Sequence, residues 1–297
     1  MFKHNYSVFS KVQDVSILNI NLANHPIVTP MINKSFKKSI TLFLVVLGGS
    51  VCLLQKGVTQ PIETSLQERY RSAIRDAALV DEEGKDFDNL IQITPDNPFL
   101  KSSWDETQTR ILVVTWKSQR TYDQYIKPFS NSPEEKRNKL TWVTVAPQVK
   151  EFCKQYLRNN PNATEADLNL RLKQYLGLDP KWNYDVFVEL WVNPKDLFRP
   201  CVDPEITDTK CNRKWGDEIP KVIGATPDAS ISDYKLFFEN LYYISIRPGL
   251  QPFTGLGYTY DWSSPNGRVG ASEFILIPGA AYTINGQPVP TLKYCQS

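Results

Sequence analysis

No histidine follows residue 25: the chain has two, His4 and His25, and both precede Met31. The rest of the sequence therefore has no Ser-His-Asp or Cys-His nucleophilic apparatus, no imidazole metal ligand and no general base of the commonest neutral-pH kind. No C-x2-C pair is present for zinc. The stretch "GLGYTY", Gly255 to Tyr260, offers two glycines of a G-x-G-x-x-G dinucleotide loop but puts Tyr260 where the third belongs. Walker-type loops and repeats of fixed period are also missing. These absences leave paired carboxylates, a Ser-Lys dyad or an oxygen-held metal as routes to catalysis, and no cofactor is expected.

A basic surplus is missing as well. Of the formal net charge of +2, residues 1–30 hold +1 and residues 31–60 hold +4, which leaves −3 on everything after them. Such a region lacks the cationic surface that releases counterions from nucleic acid, which argues against nucleic acid as a partner.

What is present begins at Met31. Lys34, Lys37 and Lys38 precede an uncharged run from Ile40 to Leu54, the order of a secretory signal or a short membrane anchor. That core spans roughly 22 Å as a helix, against a hydrocarbon layer of about 30 Å. An uncleaved anchor would need the run extended to Val58, with Gln55 and Lys56 reaching toward the interface. Ser50-Val51-Cys52 is a poor match to a small-residue cleavage site. The segment at 31–58 thus reads as either a cleaved signal or an anchor, and residues 1–30 as a tail or an over-extended start. The folded part is expected outside the cytoplasm, periplasmic or extracellular, with the membrane as a contact through Ile40 to Val58 if the segment is retained.

Beyond Cys52 the cysteines are Cys153, Cys201, Cys211 and Cys295, an even set that suggests bridges in an exported chain. Cys201 and Cys211 flank the turn-rich "VDPEITDTK", which favours their pairing and leaves Cys153 for Cys295. With 41% hydrophobic and 12% aromatic residues, the chain can bury a core.

Residues 59–98 read as an amphipathic helix over Pro61 to Val80, with Ile62, Leu66, Tyr70, Ile74 and Ala77 at helical spacing, followed by a polar linker. Residues 99–297 read as one domain. Thr109 to Ser118, Lys139 to Pro147 and Tyr184 to Val192 are rich in β-branched residues and predict strands. In the last of these Val186, Val188, Leu190 and Val192 share one face. Helices are expected from Pro147, after Thr164, where Asp167 completes a capping-box pattern, and over Asp233 to Tyr243. Near the end, "GYTYDW" and "VGASEFILI" flank Pro265 to Arg268, and "YTINGQPV" carries Asn285-Gly286, two hairpin signals. Helices in the middle and hairpins at the end predict an α+β fold with a mainly antiparallel sheet.

Two aromatic faces stand out as ligand surfaces. One carries Glu189 and Trp191, beside Asp185 and Phe187. The other carries Tyr258, Tyr260 and Trp262, which is either an exposed stripe or a core layer. Asp185 and Glu189 lie roughly 13 Å apart on one strand, whereas hydrolytic carboxylates need about 5 to 9.5 Å. Asp261 and Glu273 fall on opposite faces by parity. Asp203, Glu205 and Asp208 could hold calcium through oxygen atoms, but they lack a glycine-bearing calcium loop, so a solvated loop without metal is expected.

At "LRLKQYLGLDP", "FVELWVNPKDLFRPCVDPEITDTKC" and "GLGYTYDW…SEF" the chain resembles a family of exported bacterial proteins, cyanobacterial ones among them. The resemblance covers roughly Thr109 to Ile277 and implies an extracytoplasmic domain, with no activity and no site residues attached. The expectation is a non-catalytic module for an envelope protein or glycan, with a carboxylate-based glycan hydrolase as the alternative.

Overall fold

A computed structural model describes residues 65–79, 87–132, 140–226, 229–246, 251–264 and 267–297. The segment Ile40 to Val58 and the tail before it lie outside the described residues. No helix among the described residues is long and apolar enough to cross a membrane.

Among the described residues the main sheet is antiparallel throughout and runs in the order β4 (Leu197–Phe198), β7 (Phe274–Leu276), β2 (Thr141–Val145), β1 (Ile111–Lys117), β3 (Val186–Val192), β8 (Tyr282–Ile284), with β9 (Val289–Pro290) also on β3. A second ribbon joins β5 (Tyr258–Ser264) to β6 (Gly267–Ser272). With its helices this is the expected α+β fold. The alternation in β3 places Val186, Val188, Leu190 and Val192 in one core with Ile111 and Val113 of β1, Val143 and Val145 of β2, and Phe274 and Leu276 of β7. Each buried aliphatic side chain contributes roughly 1.5–3 kcal/mol, so this face anchors the sheet.

The opposite face carries the helices. In α3 (Ala146–Asn159) Pro147 occupies the first turn, where its missing N–H costs nothing, and Val149 and Cys153 face inward one turn apart. The start of α4 (Glu165–Tyr175) is the capping box foreseen from Thr164 and Asp167: each side chain accepts from the other's backbone N–H. Its Leu168, Leu172 and Tyr175 share one buried face. Gly177 ends it at φ +66°, the left-handed cap that glycine adopts without strain. The C-terminal α6 (Thr291–Gln296) packs Tyr294 on Phe187, with ring centroids 4.3 Å apart.

Both disulfides pair as the cysteine spacing suggested, Cys153 with Cys295 and Cys201 with Cys211. They fit a location outside the cytoplasm. The first fastens α6 to α3; the second closes the loop after β4.

Helix α1 (Leu66–Ala77) opens on a capping box of Ser65 and Glu68 and buries Tyr70, Ala73 and Ala77. It lies on β5: Tyr70 meets Trp262 edge-on at 5.6 Å, and Arg69 donates to the Ser263 carbonyl at 2.6 Å. Residues 87–97, linker-like in composition, are tied to the disulfide loop, with Leu90 N–H donating to Thr209 O and Ile93 N–H to Ile206 O.

Three local expectations change. The run "VGASEFILI" is not one strand: β6 ends at Ser272 and β7 begins at Phe274 in the other sheet, so Glu273 sits at the crossing. Asn285-Gly286 does not close a hairpin. Leu190 pairs with Ile284 and Val186 with Pro290, so β8 and β9 follow the same partner strand in succession and the turn merely loops out the excess residues between them. The helix expected over Asp233 to Tyr243 is α-helical as α5 (Tyr234–Glu239) and then widens to a π-helix over Asn240–Ile246.

Candidate ligand-binding cleft

The main sheet is split. β1 pairs with β2 only at Val113↔Val145 and Val114↔Thr144, whereas β1 stays on β3 as far as Lys117↔Val186 and β2 stays on β7 as far as Thr141↔Leu276. The two strands therefore part beyond Val114, and at the parting lies a cavity of about 260 Å³.

Its walls are aromatic. On one side Trp116 stacks between Tyr184 (5.0 Å) and Phe187 (5.5 Å), with Trp182 edge-on to Tyr184. The Trp116 indole N–H is fixed by donating to Thr291 Oγ1 at 2.9 Å. On the other side Trp142 of β2 meets Phe253 edge-on at 6.1 Å. The end of α4 closes a third side with Leu176, Gly177 and Leu178. The left-handed Gly177 lets the chain pass closely over β5, where a Cβ would come 3.4 Å from the Tyr260 carbonyl.

Few polar groups interrupt these walls: chiefly Lys117, Thr144, Gln251, Thr259 and Glu273. Glu273 reaches the cavity because of the strand crossing. Its N–H donates to Gly257 O in the ribbon region, while the next residue already belongs to the main sheet. Its carboxyl is buried and has no hydrogen bond or ion pair among the described residues. Burial alone pushes it up to about 8. In the unfolded chain it ionises above its ordinary 4.5; folded, it keeps its proton to about 8. The folded state therefore binds the extra proton across that window, and Glu273 makes the fold less stable as pH rises through it. Lys117 keeps some surface, yet burial of its ammonium end draws it down to about 8. Two uncompensated ionisable groups on one cavity make it the candidate site.

The residues singled out from sequence lie elsewhere. Glu189 is partly exposed and accepts from Asn285 Nδ2 at 2.8 Å; Trp191 lies beside Arg110, with its ring centroid 6.0 Å from the guanidinium carbon. Neither lines the cleft. Tyr258, Tyr260 and Trp262 are 5%, 3% and 3% exposed beneath α1, a core layer and not a stripe open to ligand. Asp261 is held by a bidentate pair with Arg171 at 3.1 and 2.6 Å. Of the residues weighed from sequence, Phe187 and Glu273 line the cleft. Carrying the β2–β7 register one residue further sets Glu273 opposite Thr144, then Val114, then Glu189 across β1 and β3. Glu189 and Glu273 thus share a row but stand three strand spacings apart, about 14 Å.

The calcium candidates Asp203, Glu205 and Asp208 do gather, with carboxylate oxygens within 4.8 Å of one another. Arg199 supplies positive charge there already: fully buried, it donates to Asp208 Oδ1 at 2.5 Å and to the carbonyls of Asp208 and Ile91 at 2.6 and 3.0 Å. This cluster is a structural clasp on the disulfide loop.

No family model, curated protein or solved structure matches the chain.

Proposed function

We propose that the domain binds one ring of an envelope glycan in the cleft between β1 and β2, without transforming it, in the periplasm or outside the cell, and that Ile40 to Val58 delivers or tethers it there. The supporting observation is the wall of Trp116, Trp142, Trp182, Tyr184, Phe187 and Phe253 around a small number of polar groups, the composition of small-ligand sites. Aromatic planes receive the C–H faces of a sugar ring, and the polar groups fix its orientation. At about 260 Å³ the cavity is below the ~300–1,000 Å³ typical of drug-sized ligands, which suits a single ring.

A two-carboxylate hydrolase would find its acid in Glu273, but no second carboxylate lines the cavity among the described residues, and Glu189 is too distant. Binding is therefore favoured over cleavage.

Trp182 is the partly exposed wall residue whose loss disturbs the core least. Trp182→Ala is expected to weaken saccharide binding at least tenfold, about 1.4 kcal/mol, in isothermal titration, with the urea midpoint little changed. Unchanged affinity in a folded variant would place the binding surface elsewhere.

A further inference from the structure

We propose that the saccharide taken by the cleft is an N-acetylated amino sugar, whose amide lies between the main chains of Trp116 and Trp142 and completes the rung that β1 and β2 lack. This rests on the saccharide-binding role proposed above and names the class of sugar.

In an antiparallel sheet each residue directs its N–H and C=O to one neighbouring strand, and the next residue directs them to the other. The two flanks of the sheet fix this phase independently. On one flank Asn285 N–H donates to Glu189 O, which turns the odd-numbered residues of β3 toward β8 and the even-numbered ones toward β1. In the β1–β3 register Thr115 and Lys117 then face β3, while Val114 and Trp116 face β2. On the other flank Ile277 N–H donates to Asp196 O, which turns Ile275 toward β4 and leaves Phe274 and Leu276 for β2. Thr141 and Val143 therefore face β7, and Trp142 and Thr144 face β1. Both flanks give the same result: Val114 meets Thr144, and the next rung would join Trp116 to Trp142.

That rung is not made. The β1–β2 register stops at Val114↔Thr144, and among the described residues no other group bonds the main-chain N–H or C=O of either tryptophan. Both tryptophans line the cavity, and so do Thr115, Lys117 and Val143, whose side chains belong to the opposite face of the sheet. A cavity that touches consecutive residues of two strands reaches the edges between them. Trp116 is buried, and a buried main-chain group without a partner costs stability. The edges therefore favour a ligand that satisfies them.

A trans secondary amide points its C=O and its N–H in opposite directions. Interposed between the parted strands, one such group accepts from the N–H of one tryptophan and donates to the carbonyl of the other. A hexose hydroxyl rotates to suit its surroundings, so it holds the two edges less firmly. The acetyl methyl is apolar and suits the aromatic surfaces of Trp116, Trp142 and Phe253. An inserted peptide strand would gain little more, because β1 ends at Lys117 and β2 begins at Thr141, one residue past the missing rung. A ring bearing one amide uses both the rung and the aromatic walls.

The test varies the ligand and leaves the fold undisturbed. Calorimetric titration of the full chain compares N-acetylglucosamine and N-acetylgalactosamine with glucose and galactose, and with N-acetylglycine methylamide, which has amides but no ring. The N-acetylated sugars should bind about tenfold more tightly than the plain hexoses, the effect of two net hydrogen bonds. At saturation they should also slow hydrogen exchange at the main-chain N–H of Trp116 or Trp142, which saturating glucose should not do. Equal affinity for the two kinds of sugar, or equal exchange at both tryptophans with either kind, would overturn the assignment while leaving saccharide binding intact. Binding of the methylamide without any of the sugars, or no binding by the folded protein at all, would overturn the saccharide role itself.

Discussion

Replacing Cys153 and Cys295 together with alanine is expected to lower the unfolding free energy by about 5 kcal/mol. The bridge closes a separation of 142 residues, and the chain-entropy relation gives roughly that figure for a loop of such length, against about 3 kcal/mol for a loop near ten residues. The latter is the case of Cys201–Cys211, whose separation is 10. The long bridge also holds the six-residue α6, which is far below the length at which an isolated helix persists in water. Losing α6 would uncover Phe187 and Trp116, since Tyr294 stacks on the former and Thr291 Oγ1 accepts from the latter. One wall of the cleft therefore depends on this crosslink. Urea denaturation followed by tryptophan fluorescence would measure the effect. A loss under about 1 kcal/mol would mean that packing alone holds α6 and that the bridge is incidental.

Arg199→Met is expected to cost about 2–5 kcal/mol, mostly through the carbonyls its guanidinium satisfies, because the Asp208 side chain keeps 33% of its surface and stays hydrated when its partner is lost. Arg199 is wholly buried, and desolvation draws its pKa down while Asp208 opposes the shift. Its guanidinium joins residue 91, the disulfide loop and Asp208, and lies over the Phe274 ring at 5.7 Å. Methionine fills the stem but leaves the carbonyls of Ile91 and Asp208 without their donor, each unsatisfied group costing about 1–3 kcal/mol. Because Phe274 adjoins Glu273, the variant should also loosen the crossing that delivers Glu273 to the cleft. Stability within 1 kcal/mol of the parent in urea titration would show that water substitutes for the guanidinium, and that the clasp is a surface feature.

The elements that could be read from sequence are those governed by local chemistry. The alternation in β3, the Thr164–Asp167 capping box and the short Cys201–Cys211 loop each arise from neighbours within a few residues, and each is present in the fold. Strand partners are not local. Asn285-Gly286 has a hairpin's turn chemistry, yet β8 and β9 both find β3, because its edge offers a longer apolar ladder than either strand offers the other. The run from Val269 to Ile277 is uniformly apolar apart from Ser272 and Glu273, so nothing in its periodicity marks the change of sheet at Glu273.

The cleft was hidden for the same reason. Its aromatics come from β1, β2, the turn before β3, β3 itself and the segment ahead of β5, and only tertiary structure brings them together. The aromatic residues that do form a visible stripe, Tyr258, Tyr260 and Trp262, are spent on packing α1. A signal for Glu273 did exist in retrospect: a lone acid in an otherwise apolar run must be paired, exposed or functional.

The most direct test of the account follows the indole N–H signals of the seven tryptophans by two-dimensional NMR during titration with glucose and with galactose. Trp116, Trp142 and Trp182, which line the cleft, should shift together and saturate with one affinity, while Trp104, Trp191, Trp215 and Trp262 stay in place. Saturable shifts at Trp191 with the three cleft tryptophans unmoved would contradict it.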